Sequence, residues 1–195
     1  MPSTPTITIR PATKDLWAAF EALMGPKGGV GGCWCMLWRQ NRKDQTRFTG
    51  AGNRARIRAA FDAETPPGLL AFDGADPVAW LSIAPRRAFV RLETSRILKP
   101  VDDRPVWSIS CFLIRNTHRR QGLAIALLEQ AKSFVEEQGG SILEGYPVDP
   151  KKDPYPGTYA WTGIAESFRR AGFEEVARRS ETRPIMRFEI SNSAP

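Results

Sequence analysis

The eleven residues from Ile114 to Ala124, Ile-Arg-Asn-Thr-His-Arg-Arg-Gln-Gly-Leu-Ala, constrain this chain more than any other stretch. An apolar run, Ile109 to Ile114, precedes the polar part, and an amphipathic stretch, Leu123 to Val135, follows it, so a strand feeds straight into a helix. The first N–H groups of a helix have no intrahelical partner, and the aligned peptide dipoles add partial positive charge there. A helix start of this kind can hold a pyrophosphate through its main chain. Gly122 lets phosphate oxygens come close to the amides, Ala124 is the next smallest choice, and Arg119 and Arg120 supply charge beside them.

Read as Arg119, Arg120, Gln121, Gly122, Leu123, Ala124, the stretch resembles the cofactor motif of the GNAT superfamily, the acetyl-CoA-dependent N-acetyltransferases. That motif is Arg or Gln, two residues, Gly, one residue, then Gly or Ala. The resemblance extends to the apolar strand before it, a helix ended by Gly139-Gly140, a strand from Ser141 to Tyr146, and a later helix ending in Ala171-Gly172-Phe173. It implies an α/β (α+β) fold with a mixed, mostly antiparallel central sheet, a splayed parallel strand pair and flanking helices. It implies acetyl-CoA as co-substrate, with Arg119, Arg120, Gln121, Gly122, Leu123 and Ala124 around the pyrophosphate. The main chain of Phe112, Leu113 and Ile114 would pair with the pantetheine arm, as a strand edge pairs with a peptide. One of these N–H groups would polarise the thioester carbonyl.

The rest of the chain fits one domain over residues 1–195, with residues 11–65 as a helical region on the substrate side. Thr6 to Arg10 alternates like a strand, and Thr13 can cap a helix running to Met24 with Leu16, Phe20, Leu23 and Met24 on one face. Gly25 to Gly32 holds five glycines and lacks the ending of a Walker loop, so it reads as flexible. Asn53 to Phe61 reads as a basic helix. Leu69 to Phe72 and Val78 to Ile83 read as a hairpin, and Ala88 to Leu92 as a short strand. Arg96 to Pro105 is a polar loop, and Trp107 to Ile114 a central strand. A helix from Gln121 to Gln138 joins it to the strand Ser141 to Tyr146 by a right-handed crossover, which makes the two strands parallel. Val148 to Gly157 is irregular. A helix from Thr162 to Ala171 and strands Phe173 to Arg178 and Pro184 to Ile190 complete the chain.

Composition narrows the partners. Twenty-eight Lys and Arg against 21 Asp and Glu give +7, which favours an anionic partner such as CoA. A basic nucleic-acid adaptor is the minority reading, because the arginines form no dense tract. Three cysteines, Cys33, Cys35 and Cys111, make no disulfide framework, and with His118 the single histidine no metal is expected. No run reaches transmembrane length and the first residues lack a signal-peptide layout, so a cytoplasmic protein is expected and no membrane partner. A homodimer is a common outcome for such domains.

The acid and base depart from the family pattern. Many members, the resemblance implies, place a tyrosine four residues before the glycine of the Gly-Phe pair, where Phe168 stands here. Many also carry a glutamate in the central strand, where Ser108 and Ser110 stand. Glu144 and Tyr146 share a strand face and could serve as base and acid, their alternatives being a salt bridge with an arginine and strand-end packing. Tyr155 and Tyr159 are further phenols, and Asp149 and Asp153 could bind a cationic substrate. Cys111 reads as an inert small hydrophobe rather than a nucleophile. In Gly32-Cys-Trp-Cys-Met-Leu-Trp-Arg39, the residues Trp34, Met36 and Trp38 suggest a wall of the acceptor site, with a packing anchor as the alternative. The function this implies is acetyl transfer to a primary amine of an unidentified small-molecule or peptide acceptor by direct attack. The alternatives are transfer of a longer acyl group and a catalytically weak acyl-CoA-binding sensor.

Overall fold

In the computed structural model, which describes residues 7–151 and 160–190, the chain runs β1 (Ile7–Pro11), α1 (Trp17–Met24), α2 (Arg42–Phe48), α3 (Ala51–Phe61), β2 (Gly68–Asp73), β3 (Asp76–Pro85) and α4 (Val90–Glu93). It continues with β4 (Trp107–Ile114), α5 (Leu123–Glu137), β5 (Ile142–Gly145), α6 (Ala165–Arg170), β6 (Glu174–Arg178) and β7 (Pro184–Glu189). The strands form one sheet in the order β1-β2-β3-β4-β5-β7-β6. β4 and β5 are its parallel pair and the other neighbours are antiparallel, as the resemblance implies.

Each face of the sheet carries its own core. β2, β3 and β4 point Leu69, Leu81 and Ile109 to one side, where they meet Leu127, Leu128, Phe134 and Val135 of α5 and Phe168 of α6. Leu70, Phe72 and Trp80 point to the other side and meet Trp17 and Phe20 of α1 and Ile57 and Phe61 of α3. This is the period-two alternation of strands set against the 3.6-residue period of helices. Each fully buried leucine or phenylalanine contributes roughly 1.5–3 kcal/mol.

Four expectations change. Ala88 to Leu92 is not a strand: it winds as a 3-10 turn, Arg86–Ala88, and then α4. The cause is Arg86, whose Nη2 donates to the carbonyls of Leu92 and Leu98, so the chain wraps the guanidinium. α2 escaped the periodicity reading because none of its residues is buried; Asn41 caps it by accepting from the Asp44 N–H. Thr13 bonds the Asp15 carboxylate instead of a helix-start amide, and a 3-10 turn, Lys14–Leu16, precedes α1. The glycine-rich loop is closely packed at Gly28 and Gly32. A Cβ on Gly28, at φ +64°, would lie 2.0 Å from Trp34 Nε1. At Gly28 the loop therefore uses glycine to admit an indole.

Candidate functional site

Gly122 sits at φ +80° in the left-handed region and precedes the first residue of α5. Its own carbonyl accepts from the Ile125 and Ala126 N–H groups. The N–H groups of Gly122, Leu123 and Ala124 take no protein oxygen among the described residues. Nothing lies within 4 Å of the place a Gly122 Cβ would occupy, so the amides look out into open space. Two side chains predicted to face an anion are partly engaged. Arg119 Nε donates to the Ile114 carbonyl, and Gln121 Nε2 donates to the Thr117 carbonyl, which fixes the turn leading into the helix. Arg119, Arg120 and Gln121 are exposed, and Arg120 itself adopts φ +60°. Successive turns of this kind present donors to an anion. These residues fit a pyrophosphate on α5.

Upstream, β4 and β5 pair from Trp107–Leu143 to Ile109–Gly145 and no further. A bulge marks the point of separation: Ser82 faces Cys111 and Ile83 faces Ile109, which leaves Ser110 extra in β4. Beyond it β4 continues to Ile114 beside β3 alone, so the strands splay as expected. The three residues expected to pair with pantetheine differ. Leu113 lies opposite Trp80 in the ladder with β3. Phe112 points its N–H the other way, into the splay, where it donates to the Trp161 carbonyl at 2.6 Å. The segment after the splay closes on β5 through Val148, whose N–H donates to the Gly163 carbonyl and whose carbonyl accepts from the Ala165 N–H. Trp161 carries no motif or spacing that would single it out along the chain.

Phe168 lies under this fork. It is fully buried, edge-on to Phe112 at 6.0 Å and to Phe173 at 5.1 Å. Cβ atoms on Gly145 and Gly163 would come within 2.1 and 2.7 Å of its ring, so two glycines make its berth.

Glu144 and Tyr146 are brought together, in a closed network. The Tyr146 hydroxyl donates to Glu144 Oε1 at 2.6 Å, shares a proton contact with Ser108 Oγ at 2.7 Å, and accepts from Arg86 Nη1 at 2.7 Å. Glu144 also accepts from Arg86 Nη1 at 2.9 Å and from Arg187 Nε at 2.7 Å. Arg187 makes a two-pronged contact with Asp102, and Arg86 Nε reaches Glu93. Glu144 is 0% exposed and Tyr146 1%. Burial, and next the Glu144 charge, push the Tyr146 phenol well above its usual range. The salt bridge was the sequence alternative for Glu144, and it is what the structure contains. Asp149 is likewise engaged by Arg169 and Arg178, while Asp153, Tyr155 and Tyr159 lie outside the described residues.

On the α1 side of β4 lies a cavity of about 360 Å³. Met24, Cys35, Trp38, Cys111, Leu113 and Trp161 line it, with Gln45 the polar side chain among the described lining. Trp38 is thus where a substrate wall was expected. Trp34 and Met36 are not: both are buried among α1, α3 and Trp80, with Trp34 stacked on Trp17 at 6.4 Å. They anchor the helices to the sheet. The sequence also hid that Cys35 and Cys111, 76 residues apart, meet at 3.5 Å between sulfurs. The contact with Cys111 and burial push the Cys35 thiol well up, and burial raises Cys33, so both are protonated at neutral pH. Among the described residues no group of three or more metal-binding side chains gathers, and no helix is long and apolar enough to cross a membrane.

Residues 34–150 match the model of the acetyltransferase (GNAT) family. No curated protein sequence matches the chain. Among solved structures, yncA from Salmonella typhimurium, solved with acetyl-CoA, aligns over 97% of this chain and 96% of its own at 14% identity, TM-score 0.54. A GNAT-family acetyltransferase from Listeria monocytogenes aligns over 95% and 98% at 10% identity, TM-score 0.57. The GNAT domain of S. lividans PAT aligns over 93% and 89% at 18% identity, TM-score 0.51. At such identities the likeness is one of fold, while the family match spans more than half the sequence. An open amide cradle on α5, a splayed β4–β5 pair and that match agree: this chain belongs to the acetyltransferase (GNAT) family.

Proposed function

We propose that the protein transfers an acetyl group from acetyl-CoA to a primary amine by direct attack, within one domain whose residues 11–65 form the acceptor side. The observation that carries this is the set of open amides around Gly122, at the end of the strand that forks from β5. Acetyl-CoA brings the activated acetyl as a thioester. The α5 start, with Arg119 and Arg120, holds its pyrophosphate. Phe112 and Ile114 offer main-chain groups to the pantetheine arm. The Phe112 N–H donates to the Trp161 carbonyl, an oxygen from outside the sheet, and the same donation to a developing oxyanion would stabilise it. The Trp161 segment gives way when a thioester takes that place. Holding amine and thioester in line contributes on the order of 7–11 kcal/mol, so the chemistry needs no enzyme nucleophile. With Glu144 and Tyr146 bound into ion pairs, water takes the amine proton and supplies the thiol proton. Three free thiols suit a reducing compartment, the cytoplasm.

The test is acetyl-CoA titration by calorimetry, with desulfo-CoA and ATP as controls. Saturable binding of the two CoA species but not ATP supports the cradle; no binding of either defeats it. The enclosed Glu144–Tyr146 pair and Phe168 favour a second reading, a weakly catalytic acyl-CoA sensor. Acetyl transfer to any amine in a mass-spectrometric screen excludes it.

A further inference from the structure

We propose that the acceptor is an arylamine, an amino group borne directly on an aromatic ring, bound uncharged in the cavity beside β4. This rests on the transferase reading above and adds the substrate class. The cavity adjoins the reacting strand, since Cys111 and Leu113 project into it from either side of Phe112, whose N–H faces the splay. About 360 Å³ is the small end of ligand cavities and suits one or two rings. Its aromatic wall is the Trp38–Trp161 pair, with centroids 5.8 Å apart and planes tilted by 37°. A third ring packs on such a pair by edge or offset stacking.

Charge selects against an ammonium. Among the described residues lining the cavity there is no carboxylate. Two described cations stand close by. The Arg91 guanidinium stands 5.9 Å from the Trp38 ring centroid, and the buried Arg39 acts on Cys35. Burial lowers Arg39 to about 10, so it stays charged at neutral pH. An alkylammonium entering here would lose its water without gaining a counter-ion. It would also need a base, and Glu144, the buried carboxylate nearest in sequence to the splay, is held by Arg86 and Arg187. An arylamine meets neither obstacle. Its lone pair is delocalised into the ring, so it is unprotonated at neutral pH. In the reaction that lone pair forms a bond to the thioester carbon, and the carbon–sulfur bond breaks with its electrons going to sulfur. The nitrogen loses one proton to water and sulfur gains one, giving an N-aryl acetamide and CoA.

The experiment compares 4-methoxyaniline, benzylamine and lysine with acetyl-CoA and the full-length protein, following product by mass spectrometry. Expected are a kcat/KM for 4-methoxyaniline at least about tenfold above benzylamine at pH 7, and a rate flat from about pH 6.5 to 9. Benzylamine should climb about tenfold per pH unit over the same range, as its neutral fraction grows. Trp38→Leu should raise the 4-methoxyaniline KM about fivefold or more with a smaller change in kcat. Leu37→Asp, which sets a carboxylate at the partly exposed rim, should move the preference toward benzylamine. Benzylamine or lysine preferred at pH 7, or a Trp38→Leu KM equal to wild type, overturns the arylamine assignment while leaving the transferase reading intact. Acetyl-CoA binding with no turnover of any amine overturns both.

Discussion

Gly122 carries two separable demands, backbone conformation and open space. Its φ of +80° makes any side chain cost roughly 1–2 kcal/mol, and a branched one would also fill the space before the α5 amides. Gly122→Val should therefore lose about that much stability in urea unfolding. In calorimetry it should weaken acetyl-CoA binding about tenfold or more, roughly 1.4 kcal/mol in binding free energy. Loss of stability without loss of affinity would move the pyrophosphate elsewhere. Glu144 poses the opposite case, a titratable group whose neighbours leave it no freedom. Glu144→Gln leaves Arg86 and Arg187 facing each other across a buried amide, and about 3–5 kcal/mol of stability should go with it. The turnover of the remaining folded protein should keep its pH profile. A stable variant with turnover lost would instead make Glu144 the base.

Elements were legible in proportion to how much of their pattern is local. β2, β3, β4 and α5 were read within two residues of their bounds because alternation and a 3.6-residue period leave a mark on the sequence. The Gly122 cradle was readable for the same reason, since strand, turn and helix are contiguous. α4 was misread as a strand because what bends it is a guanidinium held by Glu144, 58 residues away. The cavity beside β4 was half read: Trp38 belongs to it, but the joining of Cys35 to Cys111 and of Trp161 to Phe112 has no signal along the chain. The segment between α4 and β4 is a loop by composition, yet Asp102 ties it to β7 through Arg187. The hydrogen bonds from Arg187, and then those from Arg104, hold the Asp102 carboxyl below the ordinary range. With the folded pKa below an unfolded value of about 3.9, this stabilisation is complete above that pH and disappears as pH falls through the folded pKa. Asp102→Asn should accordingly unfold at lower urea than wild type at pH 7, and the two midpoints should converge as acid is added below about pH 4. A difference that persists unchanged to about pH 2 would place the effect in packing.

Across the whole molecule, a net charge of +7 faces a polyanionic ligand, and long-range attraction should add to the contacts proposed at the helix start. Raising salt from about 50 to 500 mM should weaken acetyl-CoA binding roughly three- to tenfold, with the change falling mainly on the association rate. A salt-independent affinity would mean that the amides alone hold the phosphates. The sheet itself is stitched by charge as well as by hydrogen bonds. Arg86 at the end of β3, Glu144 in β5, Arg187 in β7 and Asp102 in the loop before β4 form one connected series from the interior to the surface. Any one of them changed alone takes a charged partner from its neighbours, whereas Arg86, Glu144 and Arg187 replaced together by apolar residues of similar volume should lose less stability than Glu144→Gln alone. Mutational drift at these three positions therefore costs less as a set than singly, so descendants of this sequence leave the arrangement most cheaply by a coordinated step.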